Sequence, residues 1–330
     1  MSKFGTLSPG FKPRLNDWLN KLEGFLGLPF IAGQWFFVDP TNGSAGGSGL
    51  SPTDAFANIE TAYAACTSGA NDGICLISSG TTTAGYTSYL TSALTWSKWG
   101  ITVVGICAPT RFSQRARIST AAADLANLIT VSGSNNTFKN ISLYNGGTTG
   151  AGCVNVTGDR NYFENVHFMG GMGMTTPTVN DYSLLIQGGD ENTFVNCVIG
   201  QDTFDKTDIA GAELHLDDGA MRNRFIGCEF LSYRSAGTTA GLIKLVGAGD
   251  SITRTLIFEN CKFHMYRDGA VTSEATVVIG TPPNNGFIIF DANCFRHGFT
   301  DWAAVANARV FSAAVAGAEA GGLTIVTNPS

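Results

Sequence analysis

Six short runs along the chain alternate apolar and polar residues with a period of two and end near glycine. They are LITVSG (128–133), CVNVTG (153–158), SLLIQGG (183–189), ELHLDDG (213–219), LIKLVG (242–247) and TVVIG (276–280). Alternation of this kind predicts strands with one set of side chains inside and the other outside. Each run is followed by a second kind of segment. NTFKNISL (136–143), NYFENVHF (161–168), NTFVNCVI (192–199), NRFIGCEF (223–230) and IFENCKF (257–263) share the pattern Asn-x-Phe-x-Asn-[Ile/Val/Cys]-x-[Leu/Phe/Ile], and FDANCF (290–295) is a weaker copy. This pattern predicts a strand, a turn and a further strand.

The repeat decides the architecture. One slot holds Phe138, Phe163, Phe194, Phe225, Phe258 and Phe290, spaced by 25, 31, 31, 33 and 32 residues. A second holds Asn140, Asn165, Asn196, Gly227, Asn260 and Asn293, and the next Ile141, Val166, Cys197, Cys228, Cys261 and Cys294. The spacing varies while the motif persists, so insertions enter loops and one unit is kept. A single unit buries little. Coils stacked about 4.8 Å apart build a continuous core and satisfy the backbone. Phe, Cys and Asn then form ladders up the stack. The expected fold is all-β, a single parallel β-helix solenoid. Cysteines more than thirty residues apart do not have zinc-ligand spacing. They read as buried free thiols made in a reducing compartment. His167 and His264 are placed outward, with no ligand partner near in sequence.

The N-terminal end reads FFVDPTNGSAGGSGLSPTDAFANIETAYAACTSGANDGICLISS (36–79). It predicts a strand ending at Asp39-Pro40 and a Gly/Ser loop. A helix started by Ser51-Pro52-Thr53-Asp54 follows, with Phe56, Ile59, Tyr63 and Cys66 on its apolar face, and then the strand ICLIS. This order resembles the N-terminal cap of pectin-lyase-like right-handed β-helix proteins. The resemblance spans residues 36–300 and implies the handedness and the capped solenoid. It does not imply one activity, because the fold hosts lyases, hydrolases and inert structural proteins. Residues 1–35 form an extended arm with Leu15, Trp18, Leu19, Leu22, Phe25 and Leu26 on one helical face. Residues 301–330 are Ala-rich and are expected to cap the last coil or contact another subunit.

Composition narrows the function. Charged residues make up 14% of the 330 and the net charge is −6, without a run of Lys or Arg. That removes nucleic-acid backbone binding. No apolar stretch is long enough to span a membrane as a helix. Residues 22–33 faintly resemble a leader core, but Glu23, Pro29 and their position argue against one. No cofactor and no metal are expected. A surface this poor in charge is expected to be shared between copies, as a homotrimer.

Candidate chemistry lies in carboxylates, since glycoside hydrolysis needs two of them about 5–10 Å apart. Asp205, Asp208, Asp217 and Asp218 are the weak candidates, with Glu213, Asp190, Glu191 and Asp202 nearby. Asp159, Asp190, Asp217 and Asp218 fall in the turn between strands, which favours Asp for backbone reasons alone. Arg222, Arg224 and Arg234 are close, but no catalytic motif is matched. The first reading is therefore a structural protein on the virion surface of a tailed bacteriophage, made in the host cytoplasm. It resembles tail spikes and the decoration (cement) proteins of capsids. Its arm would dock on the major capsid protein or another virion component through Phe4, Phe11, Trp18, Leu22 and Phe25. The alternatives are a tail spike or secreted β-helix enzyme that binds and cleaves polysaccharide, and a non-catalytic adhesin for a host surface glycan.

Overall fold

The computed structural model describes residues 31–78, 88–120, 125–146, 152–170, 181–205, 212–234, 241–247, 249–267, 276–303 and 309–312. These form a right-handed parallel β-helix of three sheets. The first has ten strands, the second and third eight each, and every pairing is parallel. One coil runs through a first-sheet strand, a turn, a second-sheet strand, a longer connection and a third-sheet strand. Thr193–Val195, Val198–Asp205 and Leu214–Asp217 make up one such coil. The alternating runs are the third sheet, and each Asn-x-Phe motif supplies the other two.

The Phe slot is a continuous inward stack. Rings of Phe138, Phe163, Phe194, Phe225, Phe258 and Phe290 lie 4.5–5.0 Å apart and within 16° of parallel. The separation follows the strand spacing of about 4.8 Å, because one ring is contributed per coil. The corner between first and second sheets is only two residues long. Its first residue is left-handed: φ is 51–56° at Asn140, Asn165, Asn196 and Asn260, and 62° at Gly227. Asn tolerates this region and Gly enters it freely, which explains why Gly227 stands in an Asn slot. The next residue turns inward. There Cys197, Cys228, Cys261 and Cys294 are free and buried, each thiol donating to the carbonyl of a Phe one coil away. Burial pushes the Cys228 and Cys261 thiols upward, and the hydrogen bond with Cys261, then burial, pushes that of Cys294 upward, so they are inert protonated hydrophobes.

The first Asn of the motif builds a second ladder. The backbone N–H groups of Asn136, Asn161 and Asn192 donate to the side-chain oxygens of Asn161, Asn192 and Asn223 at 2.8–2.9 Å. The amide nitrogens of Asn161, Asn192 and Asn223 donate to the carbonyls of Gly133, Gly158 and Gly189. All four Asn are buried, and each coil satisfies polar groups of the next.

Three expectations change at the ends. Pro52–Asp54 is a single 3-10 turn, and the α-helix is Ile59–Ala65, capped by Asn58, whose side chain accepts Thr61 N–H. The break occurs because Phe56 leaves the helical path to bond Phe37 and Asp39 across the first strand. Trp35 opens that strand rather than ending the arm. The solenoid also continues past residue 300, with Asp301–Ala303 in the third sheet and Val310–Ser312 in the first. At this end the register puts Arg296 opposite the inward Phe263. Its guanidinium lies 5.6 Å from the Trp302 ring and 3.8 Å from Asp301.

Candidate functional site

Counting from the Cys slot, the first and third residues of each second-sheet strand point outward. Parallel register then gives two outer columns. One runs Arg117, Ser142, His167, Val198, Glu229, Lys262, Phe295, and the other Ser119, Tyr144, Met169, Gly200, Leu231, His264, His297. Unlike the inner ladders, these columns change residue type at nearly every coil.

The early part of this face is covered. Between Thr102–Ile106 and Arg117–Thr120 the first-to-second corner carries residues 107–116 instead of two, and they lie as a strap across later coils. Ser113 N–H donates to His167 Nδ1 at 2.9 Å, and Gln114 Nε2 to the Asn165 carbonyl at 2.7 Å. His167 Nδ1 is thus an acceptor, so Nε2 carries the proton and donates to the Gly200 carbonyl at 2.8 Å. Burial lowers the His167 pKa to about 4, so the imidazole is neutral. His167 is outward as expected, yet enclosed.

The strap ends at Arg111, whose guanidinium donates to the Gly227 carbonyl. Its Nε lies 3.2 Å from one carboxylate oxygen of Glu229, and the other oxygen is 3.6 Å from His264 Nε2. Beyond this point the sheet is an open shelf of rings. His264 lies 6.0 Å from Tyr266, 5.7 Å from Phe295 and 6.0 Å from His297, and Tyr266 is 6.2 Å from His297. Tyr266 is 38% exposed, a high value for a large ring in a sheet. Burial lowers the His264 pKa; Glu229 opposes that shift, while His297 and Lys262 reinforce it. Burial, then Asp202 and Glu229, raise that of Tyr266. The shelf therefore joins a surface of mutually tilted rings to a carboxylate held by Arg111.

The three candidate acids among the described residues, Asp205, Asp217 and Asp218, are not brought together. Asp205 ends Val198–Asp205 as the register partner of Tyr233, at the edge of the shelf. Asp217 ends Leu214–Asp217, and Asp218 follows it in the left-handed turn, φ 53°. These two belong to the third-to-first corner, separated from Asp205 by the width of the third sheet. Asp208 lies outside the described residues, as do the arm residues Phe4, Phe11, Trp18, Leu22 and Phe25. Asp159 and Asp190 are rungs of the same corner: their carboxylates accept the N–H of Asp190 and Met221. Glu213 is fully buried and accepts the Ser183 hydroxyl at 2.7 Å. Arg222 and Arg224 pair with Glu191 and Glu259, and Arg234 is buried. Among the described residues no group of three or more His, Cys, Asp or Glu could hold a metal. No helix among them is long and apolar enough to cross a membrane.

Comparison with solved structures gives likeness of fold. A pectate lyase superposes with TM-score 0.53 at 18% identity, covering 86% of this chain and 75% of its own. The pectin methylesterase PemA from Erwinia chrysanthemi gives 0.54 at 15%, covering 84% and 87%. A rhamnogalacturonan lyase gives 0.50 at 16%, covering 80% and 68%. At such identities the likeness shows the parallel β-helix and nothing finer. No family model matches the chain, and no curated protein matches it.

Proposed function

We propose that the protein recognises a polysaccharide, and that the glycan lies on the ring shelf of the second sheet. The observation that carries this is the Tyr266–His264–His297–Phe295 surface, with Tyr266 and His297 exposed and His264 and Phe295 half-buried, beside the Glu229 carboxylate paired with Arg111. A pyranose has an apolar face of C–H groups and an edge of hydroxyls. Flat rings take the face, and a carboxylate accepts the hydroxyls in charge-assisted hydrogen bonds. Arg111 holds Glu229 in place before any ligand arrives, which lowers the ordering cost of binding. The neighbours named above for activities on pectate, pectin and rhamnogalacturonan support a polysaccharide-directed reading over the virion-surface one. The particle-surface setting draws no support from them. Deletion of residues 1–35, with trimer integrity and particle occupancy read by sedimentation, tests it separately.

The test is a panel of soluble polysaccharides in affinity electrophoresis, with reducing-end release measured in parallel. Retardation by at least one glycan is expected, weakened about tenfold or more by Tyr266→Ala and by Glu229→Gln. Wild-type protein that no polysaccharide retards, or binding indifferent to both substitutions, overturns the shelf as the site.

A further inference from the structure

Two imidazoles stand on adjacent coils of the shelf at equivalent positions. His264 and His297 are register partners in the same outer column, ring centroids 6.0 Å apart. Their charged surroundings are few. On its own strand His264 is flanked by Lys262 and Tyr266. The preceding coil presents Glu229, already paired with Arg111 of the strap, and the coil before that Asp202. On the far side stands His297, which is exposed. Its neighbour Arg296 turns to Trp302 and Asp301. Glu229 cancels Arg111, and Asp202 offsets Lys262. Among these described groups the charges balance when both imidazoles are neutral, and Asp205 adds a carboxylate at the shelf edge.

Histidine is the side chain whose charge ordinarily changes between pH 5 and 8. Protonating this pair adds up to two positive charges to a surface that otherwise has none in excess. Those charges sit among the rings on which a sugar would rest, not at a distant rim. We propose that the His264–His297 pair is a charge switch that sets the glycan class. The neutral shelf takes uncharged sugars, and acidification adds affinity for glycans bearing carboxylates. This rests on the polysaccharide reading above and extends it to selectivity. The linkage is reciprocal: a bound carboxylate favours the imidazolium, so binding an anionic glycan takes up protons in this range and binding a neutral one does not. Burial and the neighbouring imidazole hold His264 back from protonating, so a carboxylate ligand supplies what the free shelf lacks.

The experiment compares a hexa-uronate oligosaccharide with the same hexamer after its carboxyls are reduced to alcohols. Binding to the full chain is followed by calorimetry from pH 8 to pH 5. The uronate is expected to bind about tenfold tighter at the acid end, from charges acting at contact distance near a surface, while the reduced hexamer stays within about twofold. His297→Asn should remove most of the uronate gain between pH 8 and pH 5, while the neutral hexamer, at whatever affinity the altered shelf gives it, stays flat with pH. In parallel, proton NMR titration of the two imidazoles without ligand reports whether they sense each other and Glu229. Uronate affinity flat with pH, or a gain that survives both His297→Asn and His264→Asn, overturns the switch while leaving the shelf as a glycan site. If neither hexamer binds at any pH, the shelf fails as the site for this class. Imidazoles whose titrations ignore Glu229→Gln and each other's replacement then overturn the switch independently.

Discussion

The inner and outer faces of the second sheet come from the same strands, yet they follow opposite rules. Inward, Leu143, Phe168, Ile199, Phe230 and Phe263 are all apolar and buried. One residue away, the outward column passes from Arg117 to Ser142, His167, Val198, Glu229, Lys262 and Phe295. A stacked solenoid places the same demand on every inner position, so the inner side chains repeat. No such demand acts outside, where a residue is free to differ from its neighbours above and below. In a repeat protein, departure from the repeat on an open face marks where chemistry has been added, and repetition marks where the fold is held.

The contrast can be attacked first from inside. Phe194 is fully buried between Phe163 and Phe225, at 4.8 and 4.5 Å. Phe194→Ala should cost about 3–5 kcal/mol in denaturant unfolding, as a large core deletion does. A loss under about 1 kcal/mol would show that the stack is not the spine of the fold.

His167 is next, an outward residue that the strap has made internal. Its ordinary pKa near 6.5 falls to about 4 in the fold, chiefly through burial. Between these values the unfolded chain binds a proton that the folded chain refuses. Stability from this group is therefore complete above about pH 6.5, falls as the pH drops toward 4, and is flat below. Over that window the loss is about 3 kcal/mol. His264, lowered in the same direction, adds to it. His167→Gln should flatten the corresponding part of the stability–pH curve, and an unchanged slope would mean that the strap does not enclose the ring.

Asn192→Ala probes the polar ladder. It strips the acceptor from the Asn161 N–H and the donor from the Gly158 carbonyl in a buried setting, and should cost about 1–3 kcal/mol. The smallest effect is expected outside. Tyr266→Ala should change stability by no more than about 0.5 kcal/mol, as exposed substitutions do, while weakening glycan binding. A large loss of stability there would erase the distinction between the two faces.

Much of the interior was legible in the sequence. Phe, Cys and Asn recur at fixed offsets, and such offsets translate directly into ladders. The shelf was half legible. His264 and His297 are each three residues beyond Cys261 and Cys294, and Glu229 one beyond Cys228. Reading outward columns from the Cys slot would have aligned them. Arg111 could not have been found this way, because it reaches Glu229 from a strap more than a hundred residues earlier in the chain. The acids looked grouped because sequence proximity hides which corner a turn belongs to. Asp205 and Asp217 are twelve residues apart and yet flank opposite edges of one sheet. Ser51 carried the right residue type for a helix start, but pairing of Phe56 with the first strand moved the helix to Asn58.

Arg296 has a meaning for length. Every inner file is open-ended: each rung prepares the surface on which the next could form, and nothing within a coil counts how many have gone before. A guanidinium at an inward position, laid over Trp302, is a rung that a hydrophobic successor cannot follow. Duplicating one unit, for example residues 192–222, should yield a protein one rung taller with both ends intact. Replacing Arg296 with Phe should lengthen the apolar file by one rung and favour end-to-end association, visible as a concentration-dependent rise in mass by light scattering.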